Sequence, residues 1–101
     1  MTEKRKPHYR LADIQRNLGT LTIWKSAIDG ALAMGLQRAE INEVIASLTH
    51  RDFYKSMTTY HDHRVWMDVY HGQYEGTEIY IKFVEEKVVE FALTSFKKRF
   101  S

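Results

Sequence analysis

Between residues 79 and 94 the side chains alternate with a period of two. Ile79, Ile81 and Phe83 take one parity, Tyr80, Lys82 and Val84 the other, and Val89, Phe91 and Leu93 follow a turn at Glu85-Glu86-Lys87. A period of two belongs to strands, so this stretch reads as a hairpin with one buried face. Pairing Val84 with Val88 places Ile79, Ile81, Phe83, Val89, Phe91 and Leu93 on that face. Tyr80, Lys82, Glu90 and Thr94 then lie on the other, with Lys82 across from Glu90. A sheet with one apolar face needs a second layer to cover it.

The first half of the chain supplies helices for that layer. Pro7 followed by Leu11, Ile14 and Leu18 at spacings of three and four predicts a helix over 8–18, with Gly19 as its C-cap. Residues 21–24, Leu-Thr-Ile-Trp, read as a short strand. Ser26 is a candidate N-cap for a second helix carrying Ala27, Ile28, Ala31, Leu32 and Met34 and closed by Gly35. Gly30 weakens that helix by roughly 1 kcal/mol relative to alanine, so packing must hold it. A third helix over 38–48 presents Ile41, Val44, Ile45 and Leu48 on one stripe, and Thr49 and Asp52 are spaced as a capping pair. Residues 53–59 and 65–71 read as two further strands around a polar turn at 60–64, and 71–76 as a loop with glycine hinges at Gly72 and Gly76. The sum is an α+β fold: a mostly antiparallel sheet with about three helices on one face, in a single domain over residues 1–101.

Composition narrows the classes of function. The 101 residues contain no cysteine, which excludes a disulfide framework, a thiolate metal site and a thiol nucleophile. No apolar run approaches the ~20 residues of a membrane span, and the charged N-terminus lacks a signal peptide's apolar segment. A cytoplasmic protein is the expectation. The net charge of +2 does not by itself announce nucleic acid. Lys4, Arg5, Lys6 and Arg10 crowd one end, however, and Lys97, Lys98 and Arg99 the other. If those ends meet in space they form a patch suited to a phosphate backbone; otherwise they serve solubility.

Few motifs carry chemistry. There is no Gly-rich phosphate loop, no GxSxG elbow and no HExxH. His61-Asp62-His63 has the spacing of half a metal site but no evident third ligand, and two solvated loop histidines account for it. What remains is Tyr80 and Lys82 on the open sheet face, with Lys55, Arg64 and Lys97 at or near strand ends. Aromatic rings that stack on bases, mixed with cations that hold phosphates, suit single-stranded RNA. The same residues also serve as amphipathic cover for a half-exposed sheet. Composition does not separate the two.

The stretch at 52–70, DFYKSMTTYHDHRVWMDVY, together with KRKPHYRL near the start, EIYIKF, and TSFKK near the end, resembles the MqsR toxins of bacterial type II toxin–antitoxin modules. The likeness runs over essentially the whole chain. It implies a RelE-like α+β fold and a sequence-selective endoribonuclease that cleaves mRNA and halts growth. It also implies an MqsA-like antitoxin as partner, with a zinc-binding N-terminal part and a helix-turn-helix C-terminal part. The zinc belongs to that partner, so no metal or cofactor is expected here. By the same resemblance Lys55, Tyr80 and Lys97 are the catalytic residues. Met67 departs from the family pattern, which has glutamine between the tryptophan and aspartate of WMD; a thioether donates no hydrogen bond. Gln73 or Arg64 is placed to compensate in part, and Arg64, Met67, Gln73 and Lys82 form the expected substrate-binding set. A weakened relative that keeps antitoxin or RNA binding, and a non-catalytic RNA-binding domain, are the alternatives. One difficulty stands: strict alternation puts Lys97 on the apolar face, unless the strand has ended or a bulge reverses the parity.

Overall fold

A computed structural model describes residues 2–99. Six strands, β1 (Glu3–Lys4), β2 (Thr22–Ile23), β3 (Phe53–Thr58), β4 (Trp66–Tyr74), β5 (Thr77–Lys87) and β6 (Glu90–Lys98), form one sheet in the order β1-β3-β4-β5-β6-β2. All neighbours are antiparallel except β2 with β6. Helices α1 (Leu11–Arg16), α2 (Lys25–Ala33) and α3 (Arg38–Ser47) cover one face. Leu11, Ile14, Ala27, Ala31, Ile41, Val44 and Ile45 pack there against Tyr70, Ile79, Ile81, Phe83, Phe91, Leu93 and Phe96. The expected α+β architecture is present, and the hairpin's apolar parity at 79, 81, 83, 91 and 93 is the buried one.

Several local expectations are corrected. The first helix begins at Leu11, not residue 8, because the backbone N–H groups of His8 and Tyr9 donate to the buried Asp68 carboxylate at 2.8–3.0 Å. That clamp holds the preceding chain extended, and residues 3–4 add an edge strand that sequence periodicity did not reveal. Ser26 does not cap α2: Trp24 is the N-cap, and the Ser26 hydroxyl donates across to the Thr94 carbonyl at 2.7 Å.

The loop expected at 71–76 is strand through Tyr74, and the turn falls at Glu75-Gly76, both with positive φ. Gly72 is no hinge. A Cβ on it would lie 2.9 Å from Ile81 Cδ1 and 3.0 Å from Val44 Cγ1, so its smallness lets α3 close onto the sheet. The next turn is equally displaced. β5 runs through Lys87 and turns at Val88 and Val89, leaving Val89 with φ 51° and 49% exposed rather than buried. Val84 therefore pairs with Ala92, and Lys82 faces Ser95, not Glu90.

The register resolves the difficulty over Lys97. Lys82 pairs with Ser95 and Phe83 with Leu93, so Thr94 is an extra residue in β6. This bulge reverses the alternation. Phe96 goes inward and is fully buried, while Lys97 comes out opposite Tyr80.

Candidate active site

The face of the sheet away from the helices is built in rows. Directly across the strands, His71 on β4 pairs with Tyr80 on β5, which pairs with Lys97 on β6. The next row carries Lys55 on β3, Val69, Lys82 and Ser95. Because side chains on one face recur every second residue, both rows present the same way. A second bulge, between Phe53 and Lys55, adds Tyr54 to this face, where its ring stacks on His71 at 4.6 Å and 26°.

Tyr54, His71, Tyr80, Lys82, Lys97 and Arg99 line an open cavity of about 400 Å³. Tyr80 stands at its centre: the Lys82 and Lys97 Nζ atoms lie 5.4 and 5.7 Å from its ring centroid, and the His71 ring lies 5.9 Å away. The two chain ends do not meet, but both feed this face with cations. Arg5 lies 5.7 Å from the Tyr54 ring and Lys97 flanks Tyr80 on the other side.

The electrostatics differ from group to group. Lys55 donates to Glu3 Oε2 at 2.6 Å, and that hydrogen bond raises its pKa while lowering that of Glu3. Lys82 is pushed down, first by burial and then by the ammonium groups of Lys97 and Lys55. Burial raises Tyr80. Burial, reinforced by Arg99, lowers His71, and Glu78 opposes them with Oε1 3.7 Å from Nδ1. Glu78 is itself held down by its hydrogen bond to Arg99.

Of the residues expected to be catalytic, Tyr80 and Lys97 line the cavity and Lys55 stands beside it, one row along. Lys82, expected to bind substrate, also lines it. The rest of that set is elsewhere. Arg64 lies in the turn between β3 and β4, its side chain 88% exposed and paired with Asp62. Gln73 contacts Glu78 at 3.4 Å and borders a separate depression beside α3. Met67 shares the open face but lies opposite Met57, a further row beyond Lys55 and Lys82. The cavity-lining His71, Tyr54 and Arg99, and Glu3 on Lys55, escaped sequence reasoning. His71 sat at the edge of an expected loop, and the bulge that turns Tyr54 to this face leaves no mark on hydrophobic alternation.

Comparison with known proteins now bears on these residues. The family model described as motility quorum-sensing regulator, toxin of MqsA, matches residues 6–98. The chain belongs to the MqsR toxin family. A curated relative, the mRNA interferase toxin MqsR of Escherichia coli strain K12, is 37% identical over 99 residues, covering 96% of this chain and 99% of the relative. The match takes in every strand that builds the cavity, so the MqsR family shares the segments carrying Lys55, His71, Tyr80 and Lys97. No helix among the described residues is long and apolar enough to cross a membrane.

Proposed function

We propose that the protein is an mRNA interferase, the toxin of a type II toxin–antitoxin pair, and that it cleaves RNA in the cavity around Tyr80. The observation that carries the reading is one tyrosine hydroxyl framed by ammonium groups on adjacent strands, Lys82 and Lys97 flanking the ring and Lys55 in the neighbouring row. Chemistry of this kind needs no protein nucleophile, since RNA supplies its own in the ribose 2′-hydroxyl. The enzyme must hold the phosphate, offset the charge that builds on it and manage two protons.

Lys97 and Lys55 hold the phosphate and stabilise its developing charge. For Lys55, substrate must displace the Glu3 carboxylate, which occupies the ammonium as a phosphate oxygen would. Tyr80, whose raised pKa keeps it a donor at neutral pH, orients the phosphate or the attacking hydroxyl. Lys82 is depressed by burial and by its cationic neighbours, so it gives up a proton more readily than an ordinary lysine and suits the departing 5′-oxygen. Stacking of flanking bases falls to Tyr54 and the exposed faces beside it.

The antitoxin is an MqsA-type protein with a zinc-binding N-terminal part and a helix-turn-helix C-terminal part, and the toxin acts in the cytoplasm where mRNA is translated. The test is purified protein on a long unstructured RNA in chelator, without ribosomes. Discrete fragments ending in a 2′,3′-cyclic phosphate are expected, reduced a hundredfold or more by Tyr80→Phe, Lys97→Ala or Lys55→Ala. Intact RNA at high enzyme concentration would overturn the reading.

A further inference from the structure

We propose that His71 is the general base of this site, its Nε2 taking the 2′-hydroxyl proton while Nδ1 faces Glu78. The inference rests on the ribonuclease reading and adds to it the residue that starts the reaction. His71 stands directly across β4 and β5 from Tyr80, in the same row as Lys97, and lines the cavity. Its ring is fixed by stacking on Tyr54, and its side chain keeps 18% exposure, enough to meet a ligand but little enough to hold one orientation. Glu78 Oε1 lies 3.7 Å from Nδ1. That carboxylate favours the tautomer with the proton on Nδ1 and leaves the Nε2 lone pair for substrate.

The other groups are unsuited to the task. An ordinary ammonium or phenol titrates near ~10 and is protonated at neutral pH. Lys55 is held further in its charged form by Glu3, and Tyr80 further in its neutral, protonated form by burial. An arginine does not deprotonate in proteins. The groups facing the imidazole are Tyr54 from β3, Glu78 and Tyr80 from β5, and Lys97 and Arg99 at the end of β6. Their balance with burial leaves the ring below the ordinary histidine value of 6.5, and so neutral at pH 7.

The step balances. The O2′–P bond forms as the hydroxyl proton passes to Nε2. The P–O5′ bond breaks, its electron pair leaves on O5′, and O5′ takes a proton from the Lys82 ammonium. The products are a 2′,3′-cyclic phosphate and a free 5′-hydroxyl. Imidazolium then loses its proton to solvent, and Lys82 regains one.

The experiment is the pH profile of kcat/KM for RNA cleavage by wild type, His71→Gln and Glu78→Gln. Wild type should rise with unit slope through a midpoint below 6.5. His71→Gln should lose roughly a hundredfold or more and the whole of that acidic limb, with added imidazole restoring part of the rate. Glu78→Gln removes the one group that raises the histidine, so its limb should move to lower pH. A His71→Gln enzyme within threefold of wild type, or slower with the acidic limb intact, would overturn the proposal. If that variant does not fold, an unmoved limb in Glu78→Gln overturns it instead. Absence of cleavage by wild type at every pH is a different failure, that of the ribonuclease reading itself.

Discussion

Replacing Asp68 by asparagine should unfasten the N-terminal strand from the sheet. Asp68 is fully buried, and its carboxylate accepts the His8 amide through both oxygens at 3.0 Å and the Tyr9 amide at 2.8 Å. Asparagine keeps one acceptor oxygen and turns an NH₂ group toward the remaining donor. Hydrogen bonds to charged groups contribute about 1.5–3 kcal/mol each, so losing one and facing donor against donor costs about 2 kcal/mol. For a domain of this size that corresponds to a fall in melting temperature of roughly 10 °C. The assay is thermal and urea denaturation of the two proteins at pH 7, with limited proteolysis of the first ten residues. Because the clamp lies just after β1, early cleavage near the N-terminus should accompany the drop, and Lys55 should lose the Glu3 carboxylate that β1 delivers. A melting temperature within about 2 °C of wild type, with the N-terminus still protected, would refute the reasoning: it would mean that the two amides find equivalent acceptors without the charge.

Met67→Gln adds a hydrogen-bonding group one row beyond Lys55 and Lys82, ~7 Å along β4 from Val69, and should raise RNA cleavage by up to about a hundredfold; an unchanged rate would show that RNA does not reach that row. Glu3→Gln frees the Lys55 ammonium and should lower the KM for RNA severalfold, measured on a short fluorogenic oligonucleotide. Glu3 and Glu78 both have folded pKa values below 4.5, so the stability they lend is present above 4.5 and lost as pH falls through those lower values. A Glu3→Gln, Glu78→Gln double variant should therefore show a flatter decline of melting temperature below about pH 4.5. Gly30→Ala would set a Cβ 2.2 Å from the Phe96 carbonyl oxygen and 3.1 Å from Lys97 Cβ. It should destabilise by about 1–3 kcal/mol and depress cleavage more than its stability loss explains, since α2 rests on β6 where Lys97 emerges.

The physics of each segment decides how well its sequence foretold it. α3 and the β5–β6 core announced themselves because their faces are apolar on a fixed period and their polar faces meet water. Gly72 misled because a glycine beside a turn looks like a hinge, whereas here it is a flat spot in a strand that admits Val44 and Leu48. Val88 and Val89 misled in the opposite sense, as β-branched residues occupying a turn that the Glu-Glu-Lys sequence seemed better made for. The segment at 7–10 has helix-like spacing, yet a carboxylate sixty residues later holds it extended, and no local pattern encodes that. The site divides in the same way. Lys55, Tyr80 and Lys97 came from family likeness, and strand parity alone placed Lys97 wrongly. His71 and Tyr54 depend on cross-strand register and on bulges, which are properties of paired strands rather than of either strand alone.

The extra residue at Thr94 makes the cavity sensitive to chain length in a way that substitutions are not. Excising Thr94 would leave every candidate catalytic side chain in the protein and its charge unaltered. It would nonetheless restore unbroken alternation from Leu93 onward, offering a phenyl ring to RNA at position 96 and driving the Lys97 ammonium under α2. A single lost codon in β6 would thus erase the proposed phosphate grip, a route by which a costly toxin gene could fall silent with no point mutation at its site.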